Sequence, residues 1–420
     1  MRVVVVGAGL SGVSSAWYLR EAGHDVTVVE RREGPGLETS FANGGLVVPS
    51  QPDPWNAPGI VAKLLHYLGK EDSPFLLRPS AVPGMVGWGL RFLANSRHEA
   101  WKRNTLACAA LAQYSLARLR ALRAATGIDY PFGSSGTMKI FRDQAQVDAQ
   151  AGFACMIAQF GVPHAVLDRA ATLEREPALA QVGDQLAGSV LYPDDEYGDA
   201  HAFTRALAAL GAARGIAWRY GESVEGIETE GGRFAALRTD RGRVEADALL
   251  LAAAAWTPAL ARPLGLKVWI NPVKGYSASV PLDGWNGAPR MGIMDDGLKI
   301  AIAPFAGVLR LAGTAEFAGW SPEMNERRAR NVLRTATAVL PDLAGQAERK
   351  GATFWTGLRP VSPDGSPFVG ATRVPGVFVN AGHGPLGWTF ACGSGKLAAD
   401  LVGGAAPDID PAPYSPARFN

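Results

Sequence analysis

Cysteine is scarce in this chain. Its 420 residues include three, Cys108, Cys155 and Cys392, an odd number with no CxxC pair and no metal-ligand spacing. A disulfide framework and a zinc site are therefore not expected, and a reducing, cytoplasmic compartment is. Charge of one sign is lacking too. The formal net charge is +2, which gives no electrostatic reason to expect nucleic acid. No run of 18 apolar residues occurs, so no membrane-spanning helix is expected. Histidine is rare, with six in all, and no Ser/His/Asp or Cys/His set suggests nucleophilic catalysis. Repeats and low-complexity tracts are absent, although 50 glycines and 29 prolines imply many turns. What remains is an ordinary apolar content of 47%, enough for a sizeable core, on a chain long enough for two domains.

The most informative stretch is the first thirty residues. Val3 to Val6 is a β-branched run that reads as a buried parallel strand. Gly7-Ala8-Gly9-Leu10-Ser11-Gly12 follows, then a helical pattern to about Ala22 closed by Gly23, then a second strand from Asp25 ending at Glu30. This is Gly-x-Gly-x-x-Gly in the context that gives it meaning: strand, helix, strand, acid. Gly7 allows the tight turn, Gly9 lets backbone approach a pyrophosphate, and Gly12 lets helix and strand pack closely. The pyrophosphate rests on the amides of the helix N-terminus, through the first of which Leu10 takes part. Glu30, eighteen residues beyond Gly12, is placed to accept the hydroxyls of an adenosine ribose, and Arg31 follows it. A dinucleotide is the expected ligand.

Arg31 to Pro49 is a loop of small polar residues delivered next to that ribose, among them Ser40, Asn43, Gly44 and Gly45. From Gln51 to Arg103 recurrent prolines separate short apolar helices, Ile60 to Tyr67 and Gly84 to Leu93, with basic residues Lys63, Lys70 and Arg91. This insertion reads either as part of a substrate domain or as an amphipathic membrane-surface patch. Thr105 to Thr126 and Gln144 to Phe160 read as helices, and Ala165 to Asp168 and Leu186 to Tyr192 as strands. The acids of Pro193 to Asp199 lack ligand spacing and read as a polar turn capping a helix from Ala200 to Arg214. A strand, a small meander from Val224 and the apolar strand before Trp256 return the chain to the dinucleotide domain. A second excursion of strands begins at Pro272 and ends in a helix from Pro322 to Val339. Strand Val377 to Asn380, a loop through Gly382, His383, Gly384, Gly387, Trp388 and Thr389, and a helix from Phe390 to Leu401 form a second glycine-rich strand–loop–helix. A nicotinamide enzyme does not need this second element.

The N-terminal fingerprint, Pro272-Val273-Lys274-Gly275-Tyr276-Ser277, Gly313-Thr314-Ala315-Glu316-Phe317, Gly357-Leu358-Arg359-Pro360 and the run from Gly382 to Gly395 together resemble the FAD-dependent amine oxidoreductases. These include D-amino acid oxidase, glycine oxidase and sarcosine oxidase, and the likeness is greatest to the small-subunit type of bacterial D-amino acid dehydrogenase. It covers Met1 to about Gly404. The resemblance implies an α/β (α+β overall) fold with two domains. A Rossmann-like FAD-binding domain would comprise residues 1–50, 165–262 and 352–410. A substrate domain with a mostly antiparallel sheet would comprise 51–164 and 263–351, leaving a tail at 411–420. FAD is the implied cofactor. Its contacts would come from the residues named above, with Val224 at the adenine end and Trp256 and Gly357 near it.

The implied reaction is oxidative deamination of a D-amino acid: hydride passes from Cα to flavin N5, and the imino acid hydrolyses to 2-oxo acid and ammonia. Electrons go on to a quinone or similar acceptor, with peripheral attachment to the inner face of a bacterial membrane. Arg359 would hold the substrate carboxylate, Tyr276 would line the pocket, and His383, in the loop along the flavin ring, is a catalytic and substrate-binding candidate read as packing on the cofactor rather than as an acid or base. A guanidinium suits the first role independently, since it offers two parallel hydrogen bonds to a carboxylate. Hydride chemistry on a neutral amine needs orientation and dryness rather than a protein base. Alternatives are a glycine- or sarcosine-type oxidase, a D-proline or D-hydroxyproline enzyme, and a flavin-binding subunit of a larger amine dehydrogenase. One departure stands out: Ala252 to Ala255 replaces a segment that usually contains glycine, and its methyl groups are expected to crowd the cofactor.

Overall fold

The computed structural model describes residues 1–67 and 69–419, the side chains of Lys63 and Leu65 excepted. Two sheets organise it. The first has six strands in the order Ala217–Tyr220, Asp25–Glu30, Arg2–Val6, Ala248–Leu251, Val377–Ala381, Phe368–Ala371, all parallel to their neighbours except the last. Its central strands are mostly apolar because both faces are covered. Val3 and Val5 face helices Leu10–Glu21, His98–Thr126, Ala200–Ala213 and Gly387–Gly403, while Val4 and Val6 pack toward the small antiparallel sheet of Val224–Glu230, Arg233–Thr239 and Gly242–Glu245. Helices Leu10–Glu21 and Gly387–Gly403 lie close together. A Cβ added at Gly395 would come within 2.9 Å of the Ser14 backbone, and the Asn380 amide ties the sheet to Ser15 Oγ at 2.9 Å. Their N-termini thereby open at the same end of the sheet.

The second sheet has nine strands. Its path runs Thr353–Val361, Asn271–Pro281, Val308–Phe317, Ile300–Phe305, Gly292–Asp295, Thr137–Phe141, Gly188–Tyr192, Ala165–Asp168, with Phe75–Leu77 also pairing with Val308–Phe317. Six of these pairings are antiparallel and two parallel. Helices Glu326–Thr337 and Leu343–Lys350 cover its outer face with Ala329, Val332, Ala336 and Leu343.

The mixed α/β architecture is as expected, but the domain limits need correction. Strands Ala165–Asp168 and Gly188–Tyr192, assigned from sequence to the dinucleotide domain, hydrogen-bond to one another and on to Thr137–Phe141 in the second sheet. The strand Thr353–Val361, assigned likewise, pairs along its whole length with residues Asn271 to Ser279 in that sheet. Periodicity identifies a strand and not its partner, so adjacency along the chain misplaced both. Three helices also differ. The helix expected from Thr105 starts at His98, and the one expected from Pro322 starts at Glu326, where the Asn325 side chain accepts from the Arg328 amide at 3.2 Å. The helix expected from Phe390 starts earlier, at Gly387. At the acidic turn Asp199 caps the following helix, accepting from the amides of His201 and Ala202.

Candidate active site

A cavity of about 670 Å³ lies between the carboxyl ends of the parallel strands and the inner face of the second sheet. Its size and mostly apolar lining suit a large cofactor plus a small ligand. At one end the glycine fingerprint behaves as its chemistry requires. Gly7 has φ +106°, and a Cβ there would lie 2.7 Å from the Ala252 carbonyl oxygen. Gly7, Gly9 and Leu10 line the cavity, whereas Gly12 stands behind them, where a Cβ would strike the Gly7 carbonyl. The Leu10 amide donates to Ser40 Oγ at 3.1 Å, fixing the following loop against the turn. Beyond that contact the N-cap residue, Gly9, has no side chain to cap the helix and no acid lies in its first turn, so its positive end suits an anionic ligand. Glu30 lines the cavity with its carboxylate fixed by the amides of Ala8 (2.8 Å) and Arg32 (2.9 Å). Arg31 lies 4.0 Å over the Trp256 ring and bonds Glu38 at 2.6 Å, so it builds the wall beside Val224.

The small polar loop and the second glycine-rich element complete this end. Asn43, Gly44 and Gly45 line the cavity, with Asn43 Oδ1 accepting from the Gly45 amide at 2.9 Å. His383, Gly384, Gly387 and Trp388 line it opposite, at a helix start that also lacks a side-chain cap. Gly382 and Thr389 do not face it. Gly382 packs on Phe368 and Ile270, and Thr389 Oγ1 accepts from the Val48 amide at 3.0 Å. Trp388 Nε1–H is enclosed with no acceptor among the described residues. An orphan donor, two uncapped helix ends and a glycine cradle fit a flavin dinucleotide. The alanines at 252–254 line the same space without closing it. The consequence of the missing glycine is in the backbone: Ala254 takes φ +48°, a conformation unfavourable for any residue with a Cβ.

The other end is dominated by Arg359. It lies deep in the protein yet keeps accessible surface toward the cavity it lines. Its one hydrogen bond runs from Nη1 to the Thr314 carbonyl at 2.9 Å, and among the described residues no carboxylate lies within ion-pair distance. Desolvation pushes its pKa down to about 10. Gly275 makes room for it: a Cβ there would lie 2.2 Å from Nη1. Gly275 sits directly opposite Gly357, also in the lining, across the pair of strands. Trp55 faces the guanidinium with its ring centre 5.8 Å away.

Tyr276 lines the cavity, but its hydroxyl is committed. It donates to Glu316 at 2.5 Å, and Glu316 also accepts from Arg78 Nε at 2.7 Å with Arg328 Nε 3.5 Å away. Burial alone would raise the Glu316 carboxyl; the hydrogen bonds from Tyr276 and Arg78 and the surrounding cations outweigh it and hold the pKa below the usual range. Lys274 is outside the lining and donates to the Glu323 carbonyl at 2.8 Å. His383 shares a 2.9 Å hydrogen bond between Nε2 and Ser394 Oγ, and burial lowers its pKa to about 4. It is therefore a neutral wall residue at ordinary pH. Gly275 and Thr314 were within sequence blocks singled out for resemblance, yet nothing in the sequence marked either as touching Arg359. That depends on strand register.

Together these features define an FAD-dependent oxidoreductase, and the chain belongs to that family: the FAD dependent oxidoreductase model matches residues 2–401. Among full-length relatives, the D-amino acid dehydrogenase of Methylobacterium radiotolerans is 45% identical over 410 residues, 97% of each chain. That of Paramagnetospirillum magneticum is 46% identical over 405 residues, 96% of this chain and 95% of the other. Solved structures share the fold. Glycine oxidase from Geobacillus kaustophilus aligns with TM-score 0.77 at 24% identity over 99% of both chains, and L-proline dehydrogenase from P. horikoshii with TM-score 0.79 at 18% identity over 100% of this chain and 97% of that one.

Two predictions follow from the geometry. Gly275→Ala displaces the Arg359 guanidinium and should weaken benzoate binding about 10- to 100-fold, the loss of a hydrogen bond to a charged group, while the yellow colour of bound FAD persists. Spectral titration of the holoenzyme checks this, and unchanged affinity would mean the guanidinium does not bind the carboxylate. The second concerns His383. Its folded pKa of about 4 lies below the ordinary 6.5, so between those values the unfolded chain binds a proton that the folded chain refuses. Its contribution to stability is complete above pH 6.5 and is lost as pH falls toward 4, by roughly 3 kcal/mol in full. Denaturant unfolding at several pH values should show a shallower acid slope for His383→Asn than for wild type.

Proposed function

We propose that this protein oxidises a D-amino acid, binding its carboxylate on Arg359 at the edge of the cofactor cavity. The observation that carries this reading is the Arg359 guanidinium, which is deep, lines the cavity and has no carboxylate partner among the described residues. A desolvated cation in that state is stabilised by an anionic ligand, and a carboxylate matches its fork. The full-length relatives named D-amino acid dehydrogenase support the substrate class. When bound, FAD supplies the acceptor for the hydride leaving the substrate α-carbon. The chain's own work is positional. Arg359 fixes the carboxylate, the Tyr276 ring and Trp55 bound the side-chain space, and the apolar lining excludes water. His383 and Tyr276 act as walls: the first is neutral and hydrogen-bonded to Ser394, and the second donates its hydroxyl hydrogen bond to Glu316.

For the electron acceptor we propose a quinone reached at a membrane surface. Helix Val82–Ala94 exposes Val82, Val86, Leu90 and Leu93, with Leu90 65% accessible, and Val61 of the neighbouring helix is exposed as well. Positions four and three apart share a helix face, so these form an apolar stripe facing outward. The basic residues expected to accompany it contribute less. Arg91 lies 3.6 Å over Trp269, Lys70 reaches His66, and the side chain of Lys63 lies outside the described residues. No helix among the described residues is long and apolar enough to cross a membrane.

The primary test is anaerobic addition of D- and L-amino acids one at a time while flavin absorbance is followed. Bleaching by one D-enantiomer and not its mirror image is expected; bleaching by none would refute the substrate class. Arg359→Ala should keep FAD and lose about 30- to several-thousand-fold in kcat/KM, corresponding to roughly 2–5 kcal/mol for truncating one partner of a buried charge pair. Near-normal kinetics would remove Arg359 from the carboxylate role. For the surface, Val86→Glu with Leu90→Glu should reduce co-sedimentation with vesicles of mixed zwitterionic and anionic lipid. A wild-type protein that stays in the supernatant ends the membrane proposal.

A further inference from the structure

Residues 318–325 join the second-sheet strand Val308–Phe317 to the helix Glu326–Thr337 and carry Trp320, which is 49% accessible. The loop that holds this open indole is tied down along its length. The Arg78 amide bonds the Phe317 carbonyl at 3.0 Å at its start, and the Asn325 cap fixes its end. Between them the buried Lys274 donates from Nζ to the Glu323 carbonyl at 2.8 Å, with Ser321 Oγ 3.5 Å away. Lys274 is outside the cavity lining, so its ammonium serves this loop and not a ligand. The Trp320 ring meets the Trp256 ring at 6.0 Å between centroids and 46° between planes. Trp256 is half-buried and lines the cavity. It ends a single turn that begins at the left-handed Ala254, and the Arg31 guanidinium lies 4.0 Å over its ring. Arg31 bonds Glu38 at 2.6 Å, and both line the cavity together with Glu30. Glu38, Arg31, Trp256 and Trp320 thus form one continuous contact. Glu38 and Arg31 follow the strand Asp25–Glu30 and Trp256 follows Ala248–Leu251, both of the first sheet, whereas Trp320 follows a strand of the second. The contact therefore spans the two sheets between which the cavity lies.

We propose that Trp320 is a cofactor-retaining residue: through Trp256 it closes the Glu30 end of the cavity over bound FAD and slows its release. It is a positioning residue, since Trp256 lines the cavity and Trp320 does not. Aromatic pairs add stability beyond the area they bury, and a guanidinium over an indole adds to it. Both contacts must give way before Trp256 can move aside, so they act on the dissociation rate, where most differences in affinity lie. A loose loop could not resist that movement, which gives the buried anchor at Lys274 its purpose.

The test is the rate of FAD release from the holoenzyme, read as the fluorescence of freed flavin after dilution. Trp320→Ala should speed release about 2- to 10-fold, the worth of one aromatic pair, while kcat and benzoate affinity at saturating FAD stay at wild-type values. Trp320→Phe should restore slow release, because a smaller ring still meets Trp256. In a Trp256→Leu background the Trp320→Ala change should add nothing, because its partner is gone. Release from Trp320→Ala at the wild-type rate would overturn the proposal. Equal acceleration in both backgrounds would overturn it as well, since Trp320 would then act by a route other than Trp256.

Discussion

A guanidinium held deep in the protein with a single carbonyl for company is the constraint around which the rest of the structure is arranged. Desolvating a cation is costly, and proteins normally offset it with a carboxylate. Arg359 has none among the described residues, and its lowered pKa records the penalty. The fold keeps the charge there by steric means. Gly275 leaves room for the head group, the Thr314 carbonyl fixes its orientation, and the long pairing of Thr353–Val361 with Asn271–Pro281 holds both strands in register. The carboxylate proposed to bind there would supply the missing counter-charge.

The cofactor end follows the same logic with the opposite sign. Two helix N-termini whose N-cap residues make no side-chain cap, at Leu10 and Gly387, present their positive dipole ends to one cavity. Close packing of those two helices through Gly395 and Ser14 makes them converge, so tight helix contact far from the chemistry sets where a diphosphate and an electron-rich ring can rest. The run at 252–255 shows how much the approach tolerates. Alanine replaces the more permissive glycine, the cavity stays open, and the cost is confined to the left-handed backbone of Ala254.

What could be read from sequence was what depends on neighbours along the chain. The strand, turn and helix of residues 2–21, the acid at Glu30 and the Asp199 cap are local, so spacing and residue chemistry reveal them. The candidate residues line one cavity apart from Gly12, Gly382 and Thr389, which stand behind the wall; those remote in the chain, Val224, Tyr276 and Arg359 among them, were expected from the family resemblance and not from spacing. What escaped depends on pairing. The membership of Ala165–Asp168 and Gly188–Tyr192 in the second sheet, the opposition of Gly275 and Gly357, and the bulge at Thr314 are facts of register, which no periodicity encodes. Tyr276 is intermediate. Its place in the wall was foreseen, but the capture of its hydroxyl by Glu316 required knowing that Asn271–Pro281 and Val308–Phe317 lie side by side.

That capture links the insertion to the chemistry. Arg78 leaves the Gln51-to-Arg103 segment to reach Glu316, and Arg328 arrives from the helix on the sheet's outer face, so two guanidiniums surround one enclosed carboxylate. Glu71 meets Arg78 nearer the surface. Removing Glu316 would leave Arg78 with Glu71 alone, take the carboxylate from beside Arg328 and free the Tyr276 hydroxyl, which ties the acid to the wall of the site. The balance on this side of the wall, with Arg359 added, is cationic. In a low-dielectric enclosure such an excess raises the local concentration of anions over neutral amines. The same insertion carries the outward apolar stripe of Val82–Ala94, so one segment both fixes the Tyr276 wall and presents the surface proposed for contact with a membrane acceptor.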